Sequence, residues 1–346
     1  MTPTSMHRTR AFSVLELLVV ISTIAMLASI TYVVTSGARQ FGSRMNTSNA
    51  LRQMAAGYTA YTADHNGVLL PGFLDSKTLA EHNLDARLAD GTPVDACLPM
   101  DGICDASAYV WRLAPYLDHA TDVFLSDYRS RSVDARIRRE VQPDATGHRI
   151  LGPASRNPAA GDLGLAFVPS IGMNSIFLGG DTVHGNKDTR GNNPFADLVS
   201  ETRYTATRLS HVMNPSMCIV FAPSIQHEYA DKASSNPSFA ISDIAMGSAE
   251  LRPPFTLLHE DSQTWYSAQW TADNSREYGV RQVAIDESFQ AGGGLPAARW
   301  GDLLPVANVD GGVTTTTLAA LEIDMRRWSP IATGLHPPAI RKETSR

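Results

Sequence analysis

The side chains that could do chemistry in this chain are few, and most stand alone. His227-Glu228 and His259-Glu260 each begin like the His-Glu-x-x-His helix of a zinc protease, but the second histidine positions hold Asp231 and Gln263. Without two imidazoles on one helical face, neither pair makes a zinc site. Gly180 and Gly185 stand at phosphate-loop spacing, yet Asn186 occupies the place of the lysine and no strand-to-helix frame surrounds them. Asp181, His184, Asn186 and Asp188 could gather around calcium, but they lack the ordered spacing of an EF-hand, and a solvated loop is the expected reading. There is no Gly-x-Ser-x-Gly elbow and no Cys-x-x-Cys pair. No catalytic residue, metal or cofactor is therefore expected, and the chain reads as something other than an enzyme.

Two features carry more weight. Cys97 and Cys104 are close enough in sequence to close a short disulfide loop if this region meets an oxidising compartment, with three unpaired thiols as the alternative; Cys218 lies in an apolar run and is expected to stay reduced. The other feature is Glu16, near the front of RAFSVLELLVVISTIAMLASITYVV, residues 10–34. A carboxylate in such a segment is expensive, since the most unfavourable side chains at a helix centre cost about 2.5–3.5 kcal/mol on insertion scales.

The segment around Glu16 decides how the charge is positioned. From Leu17 to Val34 there is no charge, and the length suits a membrane-spanning helix. A secretory signal peptide competes, because Ser36-Gly37-Ala38 imitates a cleavage site, although signal-peptide cores are usually shorter, about 7–15 residues, and Glu16 argues against one. Arg8 and Arg10 precede the run while Arg39, Arg44 and Arg52 follow it, so the positive-inside count leaves orientation open.

The stretch Ala11-Phe12-Ser13-Val14-Leu15-Glu16-Leu17-Leu18-Val19-Val20-Ile21 resembles the N-terminal cleavage and methylation segment of type IV prepilins and type II secretion pseudopilins. The resemblance implies a leader of residues 1–11, removed by a prepilin peptidase between Ala11 and Phe12, methylation of the new amino group, and Glu16 at the family's acidic position. Ala11 stands where the family usually has glycine. The resemblance also implies an orientation, with the leader in the cytoplasm and everything after about Thr35 outside the inner membrane. A new ammonium at Phe12 and the Glu16 carboxylate of a neighbouring subunit would then neutralise one another, so that the acid rewards assembly. Other pilin-like subunits and an inner-membrane assembly platform are the implied partners.

Beyond the span, residues 35–66 read as an amphipathic stalk. Phe41, Met45, Ser48, Leu51, Met54, Tyr58 and Tyr61 recur at spacings of three and four, which predicts one core-facing stripe on a continuing helix. Asn66-Gly67 followed by Pro71 predicts its end near Asp64. The stretch LRQMAAGYTAYTADHNGVLLPG is similar to the helix exit of large pseudopilin-like proteins of planctomycete-type bacteria. Residues 67–164 read as an insertion of helix and loop, with Ala108–Leu117 and Arg129–Val141 as its periodic pieces and PDATGHRILGPASRNPAAGDLG as a surface connection.

Residues 165–346 read as an antiparallel β-rich head. LAFVPSIGMNSIFLG, MCIVFAPSI, RQVAIDESF and LPVANV are its strand-like runs, and Asp310-Gly311-Gly312 marks a hairpin turn. A helix from Leu318 to Trp328 is expected to close against the sheet. In the resembled family a His stands ten residues before the Asp-Gly of this region; here that position holds Trp300. The fold class expected is α+β: a long N-terminal helix packed on an antiparallel head that carries a large insertion.

Length and charge set the outer limits. The 346 residues, 43% of them apolar, suffice for a sizeable core. A net charge of -6 with no basic stripe argues against nucleic acid as a partner. Two function classes remain open: a filament subunit held in the inner membrane with its head in the periplasm or on an extracellular filament, and a membrane-anchored periplasmic or extracellular binding module or enzyme that uses the helix only as an anchor. Neighbouring genes for a secretion ATPase and a platform protein would favour the first.

Overall fold

The computed structural model describes residues 14–74, 78–79, 108–125, 141–143, 149–151, 169–180, 205–226, 247–260, 263–268, 270–277, 280–285, 294–298, 303–332 and 334. The chain divides into two compact units, residues 1–42 and residues 43–346. One helix, α1 (Val14–Asp64), supplies all that is described of the first unit and the opening of the second. Val14–Tyr32 of α1 is long and apolar enough to cross a membrane, and none of its residues is buried in the protein. The helix ends at Asp64 because Asn66 and Gly67 take positive φ angles of 53° and 81°, and the Gly67 amide turns back to the Thr62 carbonyl at 2.8 Å. Such a left-handed exit satisfies carbonyls that the last helical turn leaves open.

The second unit is α+β, with an antiparallel sheet and helices. A small ladder of β1 (Val141–Pro143) and β2 (Arg149–Leu151) stands by itself, within the stretch expected to be an insertion. The main sheet is built from β3 (Ile171–Met173) and β4 (Ile219–Gln226). Two separate hairpins follow, β5 (Phe255–Glu260) with β6 (Gln263–Ala268), and β7 (Trp270–Glu277) with β8 (Val280–Ile285). The main sheet is completed by β9 (Gly294–Pro296), β10 (Leu304–Asn308) and β11 (Val313–Thr316), in the order β11-β10-β4-β3, with β9 also paired to β4.

β4 is the axis of this sheet. Its Ile219, Val220, Phe221 and Ala222 are completely buried, which explains the unbroken apolar run at a strand covered on both faces. One side of β4 is shared: β10 pairs at Ile219 and Phe221, and β9 takes over from Ser224 to Gln226. Pro223, which has no N–H to give, falls at the junction between the two. The β10–β11 hairpin turns at Asp310-Gly311-Gly312, where Gly311 has φ 88° and the Asp310 side chain accepts from the Gly312 amide at 2.8 Å.

Two expectations need correction. The stalk stripe is buried only in its second half: Leu51, Met54, Tyr58 and Tyr61 are at most 7% exposed, whereas Phe41 is 58% and Met45 42% exposed and Ser48 is half-buried. Burial along α1 begins at Thr47, because the helical period runs past the edge of the core that receives it. The closing helix is also shorter than expected. It spans Leu318–Ile323, breaks at Asp324, and resumes as a 3-10 turn over Met325–Arg327.

Residues 108–125, within the stretch expected to be an insertion, supply core. Tyr109, Val110, Leu113 and Phe124 are fully buried and share one cluster with Leu51, Met54, Tyr58 and Phe221. A second cluster on the β9–β10 side gathers Leu295, Val306, Leu321, Met325 and two tryptophans, Trp270 and Trp328, which meet edge to face at 6.1 Å.

Candidate functional site

In the first unit the candidate site is the apolar front of α1. Glu16 sits in the first helical turn and is exposed; the positive end of the helix dipole favours an acid there. It is the only acidic or basic residue between Val14 and Tyr32. The other polar side chains of the span return to their own helix. Ser22 donates to the Val19 carbonyl at 2.9 Å, Thr23 to Val20 at 2.8 Å, Ser29 to Met26 at 2.7 Å and Thr31 to Leu27 at 2.8 Å. Hydroxyls satisfied in this way need no partner from a second helix. Ala11 and Phe12 lie outside the described residues.

In the second unit the helix meets a buried aromatic seat. The Tyr58 ring stands edge-on to Phe221 at 5.7 Å, Tyr109 lies 5.3 Å from the same ring, and Phe124 meets Tyr109 at 6.2 Å. The Tyr109 hydroxyl donates to the Ile171 carbonyl at 2.8 Å, while the Tyr58 hydroxyl is buried with no hydrogen-bond partner among the described residues. Burial pushes both phenols well above their ordinary range. Gly57 lets Leu113 and Leu117 approach, since a β-carbon there would meet Leu117 at 2.9 Å.

The helix exit is tied by polar groups. His65 stacks on Tyr61 with ring centres 3.9 Å apart, and its Nδ1 lies 2.8 Å from the Tyr61 carbonyl. That carbonyl can only accept, so Nδ1 carries the proton. Tyr116 bonds to the Asp64 carboxylate, and partial burial together with that charge raises its phenol. Buried Arg112 donates to the carbonyls of Pro71, at 3.1 Å, and Gly72. Arg208 reaches the Asn66 carbonyl at 3.3 Å.

Several buried polar groups escaped the sequence reading. Glu250 and Arg252 form an ion pair at 3.1 Å with side chains 1% and 4% exposed. Nothing in AELRPPF separates such a pair from a surface one. Asn174 donates to the carbonyls of Ile219 and Trp328, at 3.0 and 2.9 Å, and so joins the two strands to the C-terminal turn. A lone asparagine in SIGMNSIF carries no signal of that role.

The remaining candidate residues are dispersed. Cys218 is a free thiol, completely buried one residue before β4; burial holds its thiol far from ionisation. Cys97 and Cys104 lie outside the described residues, as do His227-Glu228, Asp181, His184, Asn186, Asp188 and Trp300. His259-Glu260 lies on strand β5, opposite Thr264 and Gln263 of β6, and not on a helix. Among the described residues no three of His, Cys, Asp and Glu come together as a metal cluster. The described polar and aromatic groups hold the fold, and the feature presented outward is the apolar helix with its single acid. No protein-family model matches this chain, and no curated protein or solved structure matches it either.

Proposed function

We propose that the protein is a pseudopilin or minor pilin, a filament subunit that is held in the inner membrane by residues 12–34, the transmembrane half of its N-terminal helix, until it is assembled. The observation that carries this reading is the use of α1: its first 19 described residues are apolar, exposed and carry one acid, while Leu51 to Tyr61 form part of the core of a large α+β head. A mere anchor needs the first property alone. In this reading a prepilin peptidase cuts between Ala11 and Phe12, and the head faces the periplasm or decorates an extracellular filament. The N-terminal ammonium of an incoming subunit is neutralised by Glu16 of its neighbour.

Pairing two charges inside hydrocarbon removes a cost that each would otherwise carry alone. The test is N-terminal mass analysis of membrane-derived protein beside recovery of sheared filaments, for wild type, Glu16→Ala and Ala11→Glu. Glu16→Ala is expected to be cut and methylated normally but lost from filaments, and Ala11→Glu to remain uncut. An uncut wild-type chain, or a Glu16→Ala chain assembled at the wild-type level, would favour a membrane-anchored binding module instead.

A further inference from the structure

We infer that β11 is an interaction edge, which pairs antiparallel with β11 of a second copy of this chain about a twofold axis at Thr314. The main sheet treats its edges differently. β3 is closed by a neighbouring segment, since the Met173 amide donates to the Ala249 carbonyl and the Leu251 amide to the Met173 carbonyl, both at 2.8 Å. β9 is met by the Arg252 amide, which donates to the Gly294 carbonyl at 2.8 Å. Among the described residues, β11 pairs with β10 alone, and no backbone bond from elsewhere reaches Val313–Thr316. Thr314 and Thr315 point to opposite faces of the sheet, yet both are exposed, so the edge is open from either side.

The register decides which groups that edge offers. The Asn308 amide donates to the Gly312 carbonyl at 2.8 Å, so Asn308 faces β11, and the alternate residues Val306 and Leu304 face the same way. Their partners Thr314 and Thr316 therefore turn N–H and C=O to β10, while Val313 and Thr315 turn theirs outward. Sheet edges are commonly blunted by charge, proline or a bulge, and β11 carries none of these. A second copy fits because the strand is its own complement. With Val313 opposite Thr315 of the copy and Thr315 opposite its Val313, every outward N–H finds a carbonyl, and Thr314 meets its own copy across the axis. Threonine against threonine is a favourable cross-strand pair, and Asp310, the nearest charge in sequence, falls opposite uncharged Leu318. A twofold pairing uses the same edge of both chains and stops at two. The few hydrogen bonds of so short an edge hold weakly in dilute solution; α1, long and apolar enough to cross a membrane, raises the effective concentration by tethering both chains. This inference does not depend on the filament reading.

The test is disulfide trapping of the purified full-length chain in phosphatidylethanolamine–phosphatidylglycerol vesicles, with Thr314→Cys beside Thr315→Cys. Links are assigned by peptide mass mapping, which separates the introduced thiol from Cys97, Cys104 and Cys218. Opposed residues of a non-hydrogen-bonded antiparallel pair have Cα atoms about 4.5 Å apart, inside the disulfide range of about 4.4–6.8 Å. The two copies of position 315 stand two residues out of register, roughly 8 Å apart, which lies beyond that range. Both positions are exposed and adjacent, so chance collisions treat them alike. Thr314→Cys is therefore expected to link at least about 10-fold faster than Thr315→Cys. Adding Thr315→Pro to Thr314→Cys removes an outward amide at an edge position where proline is tolerated, and is expected to slow the link by about 10-fold. Equal linking of the two cysteine variants, no link in Thr314→Cys, or a link unaffected by Thr315→Pro overturns the inference.

Discussion

Truncating Leu51 to alanine removes a side chain with no exposed surface from a cluster that joins α1 to Phe221, Ala307 and Val309 of the head. Large-to-small changes at such positions cost about 2–5 kcal/mol, the transfer of the lost methyls plus the cavity left behind. Leucine and alanine differ little in helix propensity, so the loss reports packing and not helix formation. For a large domain each kcal/mol moves the melting temperature by about 2–4 °C, which places the expected drop at about 4–20 °C. Phe41, about three helical turns earlier on the same stripe, is 58% exposed, and Phe41→Ala is expected to change stability by no more than about 0.5 kcal/mol. Trp111, Trp270 and Trp328 are all buried in the head, so tryptophan fluorescence during heating of the full-length protein in detergent reads the transition directly. Equal shifts for the two variants, or a shift below about 2 °C for Leu51→Ala, would refute the placement of the burial boundary at Thr47.

Tyr58→Phe deletes a buried hydroxyl with no hydrogen-bond partner among the described residues, and is expected to stabilise the head by about 1 kcal/mol, since leaving such a group unpaired costs about 1–3 kcal/mol; a loss in chemical denaturation would show that the hydroxyl has a partner. Asp324 is held below the ordinary carboxylate range mainly by the Arg326 guanidinium, at 2.8 and 2.9 Å, and its carboxylate also caps the following turn. Its stabilisation is therefore complete above the unfolded-state value of about 3.9 and is lost as pH falls through the lower native value. Asp324→Asn keeps a capping side chain and removes the charge, so its gap from wild type should be present at neutral pH and close in acid melts, and a gap that widened there would reverse the sign of the argument. In non-reducing peptide maps Cys218 is expected to resist alkylation until the protein is denatured, and Cys97 and Cys104 to appear joined; free alkylation of that pair in native protein would exclude the disulfide.

The legible parts of the fold are those whose signal is local. Hydrophobic length marks Val14–Tyr32, the Asn66-Gly67 pair marks the helix exit, and Asp310-Gly311-Gly312 marks the hairpin, because each depends on backbone preferences within a few residues. The burial boundary on α1 was not legible: Phe41 and Leu51 obey the same period, and only the extent of the sheet distinguishes them. Tyr109-Val110-Trp111 looked like a fragment of an insertion because its partners, Phe124 and Phe221, lie elsewhere in the chain. The β5–β6 hairpin escaped notice because Leu257-Leu258 and Trp265-Tyr266 put apolar residues on consecutive positions and blur the alternation expected of a half-buried strand. At the N-terminus, Glu16 stood out for the opposite reason, as the one residue that breaks a uniform run. The Glu250–Arg252 pair had no such background to break.

The aromatic seat of α1 sets a timetable for synthesis. Met54 and Tyr58 leave the ribosome early, yet Phe221 and Ala307, which share their cluster, are made much later. At about 5–20 residues per second, the roughly 160 residues between Tyr58 and Phe221 alone take on the order of ten seconds or more to appear. Residues 108–125 can cover part of the stripe Leu51-Met54-Tyr58 within that interval, but the cover supplied by β4 and β10 is missing, and an apolar helical face left partly open is prone to aggregate. Contacts between such distant parts of a chain also form slowly, because the loop between them must close first. The native cover of the stripe is therefore complete only once β10 has been made.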